Sequence, residues 1–105
     1  MTICFKIVDY KDGTIKTLFH GLNGSRVLAP GEWLRAERKY VTDGSNSTKY
    51  LSGWHVLRTR KEAEKYMKNF TNIKDKLIIP CRTINVRKKE HSRQDVYLAD
   101  YIWVI

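Results

Sequence analysis

The first part of the chain carries the side-chain alternation of a β-hairpin. Between residues 3 and 8, an apolar Ile, Phe or Ile stands at every second position, and a period of two is typical of an extended strand. Asp12-Gly13 follows, a pair that favours the tight turn between two antiparallel strands. Residues 14–19 are therefore predicted to return as the second strand. Residues 20–25, with two glycines and an asparagine, are predicted to form a loop.

The middle of the chain predicts two more strands around a polar loop. Pro30-Gly31 breaks the chain. Residues 33–41 then alternate in a way that favours a strand, although this stretch also contains good helix formers. Residues 42–49 are polar and are predicted to form a mobile loop. Residues 50–57 are predicted to return as a strand.

The clearest local pattern is that of an amphipathic helix over residues 60–70. Thr59 and Glu62 have the spacing of a capping box, in which the threonine hydroxyl accepts a hydrogen bond from the third helical N–H. Four apolar residues follow at i, i+3, i+4 and i+7 and form one stripe: Ala63, Tyr66, Met67 and Phe70. Three lysines occupy the opposite side: Lys61, Lys65 and Lys68. We expect the stripe to face the core and the lysines to face solvent.

The last third of the chain predicts two strands. Residues 77–86 begin with an apolar run whose Pro80 cannot donate to a ladder, so we expect an edge or a bulge there. A polar loop over residues 87–95 precedes residues 96–105, the most apolar strand, which we expect to be central and buried on both faces at its end. The order β-β-β-β-α-β-β predicts one α+β domain over residues 1–105, with a mostly antiparallel sheet of about five to six strands and one amphipathic helix packed on it.

Charge is the feature of the composition that bears most on function. The formal net charge is +9 and the isoelectric point is near 9.7. Such a surplus favours polyanionic partners, either nucleic acid or an acidic surface of a protein or nucleoprotein. The candidate partner-binding residues lie on the strand over residues 33–41, around the helix and in the last polar loop: Arg35, Arg38, Arg58, Arg60, Lys61, Lys65, Lys68, Arg87, Lys88, Lys89 and Arg93. The alternative is that the surplus charge only keeps the protein in solution.

Residue types that carry enzyme chemistry show no recognisable spacing. Cys4 and Cys81 form no C-x-x-C pair and lie in apolar runs, so we expect buried free thiols. The three histidines lack metal-ligand spacing, and no P-loop or dinucleotide fingerprint is present. We therefore expect no metal, no cofactor and no enzymatic activity.

One candidate ligand pocket can be drawn from the sequence. It would unite the histidine that ends the second predicted strand with three later residues: His20, Tyr50, Trp54 and His55. The alternatives are an ordinary turn at His20 and a half-buried, hydrogen-bonded histidine at His55, on the opposite side of the strand from Trp54.

The sequence also bears on location. No apolar run approaches the roughly 20 residues of a membrane span, and the first residues lack the layout of a signal peptide. We therefore expect a cytoplasmic protein with no membrane partner. The sequence does not indicate an oligomeric state.

Part of the chain resembles a pattern found in small uncharacterised bacteriophage and prophage proteins. In that pattern a strand of the form sGfHvf precedes a helix of the form eeAeky, as residues 50–57 precede residues 61–67 here. A W-x-x-A stretch at residues 33–36 and the closing strand at residues 96–102 belong to the same pattern. The resemblance covers residues 33–105 and implies a phage origin and an accessory role rather than a particular activity.

The charge and this resemblance together favour one hypothesis. We expect a non-enzymatic accessory protein that binds nucleic acid, or a host nucleic-acid–protein complex, through a basic surface. If the protein is phage-encoded, its location is the cytoplasm of the host cell. Counter-defence is one purpose that a phage origin suggests.

A second, weaker resemblance is to ADP-ribosyltransferases. Their histidine-glycine strand end resembles His20-Gly21, and their glycine-led strand with the following A-x-x-Y helix resembles residues 53–66. The chain departs from that family in having no clear catalytic glutamate, for which Glu37 and Glu90 are the loose candidates. This resemblance implies a nucleotide-binding enzyme as the alternative function. A structural or assembly protein of the virion is the third hypothesis.

Overall fold

The computed structural model describes residues 2–18, 26–37, 40–42, 49–89 and 95–105. In this part of the chain one helix accompanies eight strands: β1 (Thr2–Lys11), β2 (Thr14–Thr17), β3 (Trp33–Arg35), β4 (Tyr40–Thr42), β5 (Lys49–Leu51), β6 (Trp54–Val56), α1 (Arg60–Met67), β7 (Lys76–Lys88) and β8 (Tyr97–Val104). Six of these strands form an antiparallel sheet on which α1 packs. The predicted α+β class is therefore confirmed.

The first hairpin forms as the sequence predicts. β1 and β2 pair antiparallel up to Lys11 and Thr14, which leaves Asp12 and Gly13 as the two turn residues. Both have left-handed backbone angles, with φ of 53° at Asp12 and 77° at Gly13. Positive φ at both central residues is the geometry of the type I′ turn, whose twist matches that of the flanking strands.

The sheet closes on itself as a small barrel. Its strand order is β2-β1-β7-β8-β3, and β6 pairs with the edge of β8 that β7 leaves open. Directly after β6, Leu57 exchanges two backbone hydrogen bonds of 2.7 Å with Phe5 of β1. Because β1 also pairs with β7, β6 completes the ring β1-β7-β8-β6. β4 and β5 form a second, two-stranded sheet.

Hydrophobic clusters lie on both sides of the curled sheet. The inner cluster fills the ring with residues from β1, β6, β7 and β8, among them Cys4, Val8, Val56, Cys81, Ala99 and Ile102. The outer cluster lies between the sheet and α1, and includes Phe5, Ile7, Leu57, Ala63, Tyr66, Met67, Phe70 and Ile78. The alternating residues of β1 thus supply both clusters, as the period of a strand requires.

The predicted orientation of the helix is confirmed. The Thr59 hydroxyl accepts a hydrogen bond of 3.1 Å from the backbone N–H of Glu62, the apolar stripe packs in the outer cluster, and the three lysines are exposed. α1 ends at Met67 rather than Phe70, because the next N–H groups bond to carbonyls three residues back instead of four. Phe70 still packs in the outer cluster, edge to face with Tyr66 at a centroid distance of 5.8 Å.

Two predicted strands are each divided in the structure. The strand predicted over residues 33–41 becomes β3 and β4, and the strand predicted over residues 50–57 becomes β5 and β6. Beyond β3, the N–H of Ala36 still donates to the carbonyl of Asp100 at 2.8 Å, but β4 pairs with β5 instead of β8. The second break is at Gly53, where an added Cβ would lie 3.0 Å from a side-chain atom of β8.

Pro80 lies in an interior strand, and not at an edge or a bulge as predicted. The register of β7 with β1 continues unbroken on both sides of the pair Phe5↔Pro80. Both backbone groups of Phe5 bond to Leu57, so this pair needs no hydrogen bond from the proline on that side. The pairing of β7 with β8 begins only at Cys81. The missing N–H of Pro80 therefore interrupts no ladder bond.

The side-chain alternation of β7 and of β8 reverses near the middle of each strand. Cys81 and Val86 both pack in the inner cluster although five positions separate them. Ala99 and Ile102 do the same across three positions. An odd separation on a regular strand would place two residues on opposite faces. Asn85, with a φ of 57°, lies at the switch point in β7, and its left-handed backbone reverses the faces of the residues that follow.

Asn85→Val should therefore destabilise the fold, whereas Asn85→Gly should leave its stability near that of the wild type. The left-handed region costs a residue with a Cβ about 1–2 kcal/mol, and asparagine is one of the few such residues that adopt it routinely. Glycine adopts it freely. Unfolding by urea at one pH measures both variants, and equal free energies of unfolding for the valine and glycine variants would contradict this role of Asn85.

Candidate functional site

The first group of exposed cations surrounds α1. We call it the helix surface, and it consists of Arg58, Arg60, Lys61, Lys65 and Lys68. The three lysines lie within an arc of about 60°, because each residue turns a helix by about 100°. Within the described part of the chain none of these lysines takes part in an ion pair. Glu64 is also exposed on this helix. The five cations outnumber it, so the net charge of this surface is positive.

The two arginines of the helix surface lie over aromatic rings. The guanidinium carbon of Arg60 is 5.2 Å from the ring centre of Phe5, and that of Arg58 is 5.4 Å from the ring centre of Tyr97. Cation–π contacts of this kind position a guanidinium group and leave its charge in place. Lys88 is exposed and lies directly opposite Tyr97 in the β7–β8 ladder. Arg58 and Lys88 therefore flank the same tyrosine.

Arg87 makes contacts within the fold and is not part of the helix surface. Its guanidinium donates to Asp100 Oδ1 at 2.7 Å and to the carbonyl oxygens of Ser52 and Leu51 at 2.8 and 3.2 Å. Only 11% of the Asp100 side chain is exposed, so its charge needs compensation, to which Arg87 contributes. These contacts hold Leu51, at the end of β5, and Ser52, between β5 and β6, close to Asp100 of β8.

The remaining predicted cations are dispersed. The polar loop begins later than predicted, because Lys88 ends β7 and the N–H of Lys89 still donates to the carbonyl of Val96 at 3.0 Å. Lys89 is half-buried. Arg38 and Arg93 lie outside the described residues. Arg35 is exposed on β3, away from α1.

The outer side of the sheet carries a patch of aromatic and arginine side chains. We call it the outer sheet face, and it consists of Ile3, Trp33, Arg35, Arg82, Ile84, Tyr101 and Trp103. One row across four strands contains Trp33, Trp103, Arg82 and Ile3. The next row contains Arg35, Tyr101 and Ile84. Residues directly opposite one another in a ladder share a face, so these seven side chains lie together.

The outer sheet face is open to solvent. Ile3 is 45% exposed, Trp33 39% and Ile84 36%, and both arginines are exposed. Tyr101 and Trp103 are half-buried, so the end of β8 is not buried on both faces as predicted. Its inward residues are buried, whereas its outward ones are half-buried. Trp33 and Trp103 meet edge to face, with centroids 5.5 Å apart and an interplanar angle of 71°.

The helix surface and the outer sheet face adjoin. Phe5 and Ile7 lie on the same side of β1 as Ile3, and α1 covers those two residues. Arg60, at the start of α1, lies over Phe5, directly beside Ile3 in the alternation of the strand. Cations of the helix therefore border the aromatic patch. Arg82, Tyr101 and Trp103 were not predicted from the sequence; the only available signal was the period-two spacing along the last two predicted strands.

Two of the four side chains of the candidate pocket can be placed, and they lie on opposite faces of β6. Trp54 is buried in the inner cluster, and its indole N–H donates to the carbonyl of Leu34 at 3.0 Å. His55 pairs with Leu98 and points to the other face of β6, so Trp54 and His55 do not line one pocket. His20 and the side chain of Tyr50 lie outside the described residues.

Lys6 is a buried cation that the sequence analysis did not single out. The residue is only 5% exposed, and its Nζ donates to the carbonyl of His55 at 2.8 Å. Nζ also lies 5.9 Å from the ring centre of Trp54. Burial lowers the pKa of Lys6 from 10.5 to about 8. Lysines with such pKa values can act as nucleophiles or bases, but this one is enclosed by the core.

The two cysteines are buried free thiols, as predicted. Burial is the main cause that raises the pKa of Cys81 from 9.0 to about 11. Cys4 pairs with it across the β1–β7 ladder. The Cys81 thiol is therefore protonated near neutral pH, in a form that reacts poorly as a nucleophile.

A polar groove lies at the opposite end of β1 from the outer sheet face. It has a cavity volume of about 400 Å³ and is lined by Asp9, Lys11, Asp12, Thr14, Lys16, Asn72, Asp75 and Lys76. Asp9 and Lys76 form an ion pair of 3.0 Å within it. Three carboxylates and three ammonium groups line the groove, so it has little net charge. Among the described residues no group of three His, Cys, Asp or Glu side chains could hold a metal ion.

Comparison with protein-family models, curated proteins and solved structures finds no match to this chain. Within the described residues, no helix is both long and apolar enough to cross a membrane.

Proposed function

We propose that the chain is a phage-type accessory protein that binds nucleic acid, free or within a host nucleic-acid–protein complex. The observation that carries the proposal is the helix surface, where five cations are exposed and the three lysines have no ion-pair partner among the described residues. The phage origin rests on the sequence resemblance alone. It leads to the host cytoplasm as the location and to counter-defence as one purpose.

Electrostatics explains why such a surface suits a polyanion. Like charges three or four residues apart on a helix repel one another by a few tenths of a kcal/mol per pair. A row of phosphates turns that repulsion into attraction and releases its own counterions, which favours binding. The net charge of +9 attracts the same partner from a distance. The expectation that the protein is not an enzyme stays a prediction.

The triple variant Lys61→Glu, Lys65→Glu and Lys68→Glu should weaken binding to nucleic acid of any sequence. We expect affinity to fall by at least about tenfold at low salt, because contacts to phosphates are lost. Each phosphate contact also contributes about 0.9 to the slope of log affinity against log salt. Loss of three such contacts should lower that slope by up to about 3. Fluorescence anisotropy with labelled single-stranded and duplex DNA and RNA across a salt series measures both quantities.

A matched triple variant controls for the change in net charge. Lys11, Lys16 and Lys74 are exposed lysines outside α1, and the first two line the polar groove. Their change to glutamate removes the same charge and should cost clearly less affinity. Equal losses in both variants would contradict a specific surface at α1. If the wild type binds no nucleic acid even at low salt, the proposal fails and an acidic protein partner becomes the better hypothesis.

A further inference from the structure

We propose that the outer sheet face is a stacking platform for the bases of single-stranded nucleic acid. The inference rests on the proposed function for the class of ligand and adds a second site and the strandedness of what it binds. Its basis is the juxtaposition of Trp33, Trp103 and Tyr101 with Arg35 and Arg82 on one exposed face.

The dimensions of the face suit a short run of bases. Its first row crosses four strands, from Trp33 on β3 to Ile3 on β1. Neighbouring strands lie about 4.8 Å apart, so the row is about 14 Å long. In one class of RNA-binding domain, a four-stranded sheet stacks two or three bases on its aromatic side chains. The exposed Ile3 and Ile84 extend the apolar area at the edge of the patch.

The aromatic rings are placed to receive bases. In the edge-to-face pair of Trp33 and Trp103, the ring that presents its edge keeps both of its faces free of the other ring. Two of the three rings lie opposite an arginine in the sheet: Trp103 opposite Arg82, and Tyr101 opposite Arg35. Arginine can both bind a phosphate and stack on a base.

Charge distinguishes this face from a surface for an ordinary protein partner. The seven residues include two arginines and no carboxylate. Arg60 stands at the boundary with α1, which adds a third guanidinium beside the platform. A duplex hides the faces of its bases inside the stack, so it can use the cations but not the aromatic rings. Unpaired strands can use both.

The test compares Trp33→Ala with Trp33→Phe in binding to a labelled 12-nucleotide single strand and to the same sequence as a duplex. Base–aromatic stacking contributes about 1–3 kcal/mol per base, so Trp33→Ala should weaken single-strand binding by at least about fivefold. Trp33→Phe should restore most of that affinity, and duplex binding should not change. The salt slope for the single strand should also stay unchanged, because no charge is removed.

Tyr40→Ala is the matched control, because Tyr40 is an aromatic residue, 72% exposed, in the other sheet. It should leave single-strand affinity at the wild-type value. Far-ultraviolet circular dichroism and thermal melting establish that each variant is folded. If the alanine variant unfolds, Trp33→Leu keeps the test valid, because leucine keeps an apolar side chain without a ring and should lose the same single-strand affinity.

The outcomes separate this inference from the proposed function. If the lysine triple variant loses binding while Trp33→Ala does not, the proposed function stands and the stacking platform is overturned. Equal losses for single strands and duplexes would also overturn it. If the wild type binds neither, both proposals fail. Sedimentation velocity tests a second copy of the chain as occupant: a dimer that Trp33→Ala dissociates, with single-strand affinity unchanged, would assign this face to self-association instead.

Discussion

Lys6→Met should be more stable than the wild type at pH 7, and the wild type should gain stability between pH 8 and 9 in a way that the variant does not. Burial lowers the pKa of Lys6 from 10.5 to about 8. Below about pH 8 the folded protein therefore holds a buried charge, which costs free energy. Above pH 8 the folded state releases the proton while the unfolded chain keeps it, so stability rises with pH.

The size of this effect follows from the same values. The difference between 10.5 and about 8 corresponds to about 3 kcal/mol at neutral pH. Methionine keeps an unbranched apolar stem but removes the hydrogen bond from Lys6 to the carbonyl of His55, which offsets about 1–2 kcal/mol. We therefore expect Lys6→Met to gain about 1–2 kcal/mol at pH 7.

Cys81 limits the useful pH window. Its pKa is raised from 9.0 to about 11, so its contribution to stability is complete below pH 9 and is lost as the pH rises through 11. That trend opposes the gain from Lys6, and urea titrations should therefore cover pH 7 to 9. Lys16→Met removes an exposed lysine of β2 and should leave the pH dependence intact. A variant destabilised at pH 7, with a flat wild-type curve, would contradict the buried charge.

Arg87→Met should cost about 2–3 kcal/mol of stability and leave the affinity of the folded protein for nucleic acid nearly unchanged. Removal of one partner of a buried ion pair costs about 3–5 kcal/mol, and Asp100 would lose its ion pair with Arg87. The Arg87 side chain is 32% exposed, so solvent reduces the expected cost. The carbonyl oxygens of Leu51 and Ser52 also lose their donor.

Neighbouring substitutions separate structure from binding at this position. Lys88→Met removes an exposed charge one position away and should leave stability within about 0.5 kcal/mol of the wild type. Arg87→Lys keeps the charge but loses the planar fork, so its stability should fall between those of wild type and Arg87→Met. Denaturation midpoints measure the stability of each variant, and binding titrations measure its affinity for nucleic acid. If Arg87→Met is stable but binds nucleic acid less tightly, the structural role is contradicted and Arg87 belongs to the binding surface.

Local patterns in the sequence were sufficient for the elements that depend on neighbours along the chain. The Asp12-Gly13 turn and the capping of α1 by Thr59 are set by residues two or three positions apart, and both formed as predicted. The divided strands were not predictable in this way. The break at Gly53 depends on a residue of β8, and the end of β3 depends on where its pairing with β8 stops.

Most residues of the candidate site were not predicted from the sequence. Lys6 belongs to a strand in which both alternating sets of residues are mostly apolar, so the pattern does not show which set faces inward. Trp33 and Trp103 are 70 positions apart and meet only through the register of β3 with β8. Only Arg35 of the outer sheet face was among the predicted partner-binding residues. The lysine stripe of α1 was accessible because helical spacing alone defines it.

The barrel closes only through contacts between distant parts of the chain. The Thr83 hydroxyl, for example, donates to the carbonyl of Thr2 across 81 positions. Chains that depend on such pairings fold slowly, on the order of milliseconds to seconds. During synthesis at roughly 5–20 residues per second, β1 would wait on the order of 4–15 seconds for β7 to be made. Through that interval both faces of β1 lack their partners, so the newborn chain is most prone to aggregation before its last strands emerge.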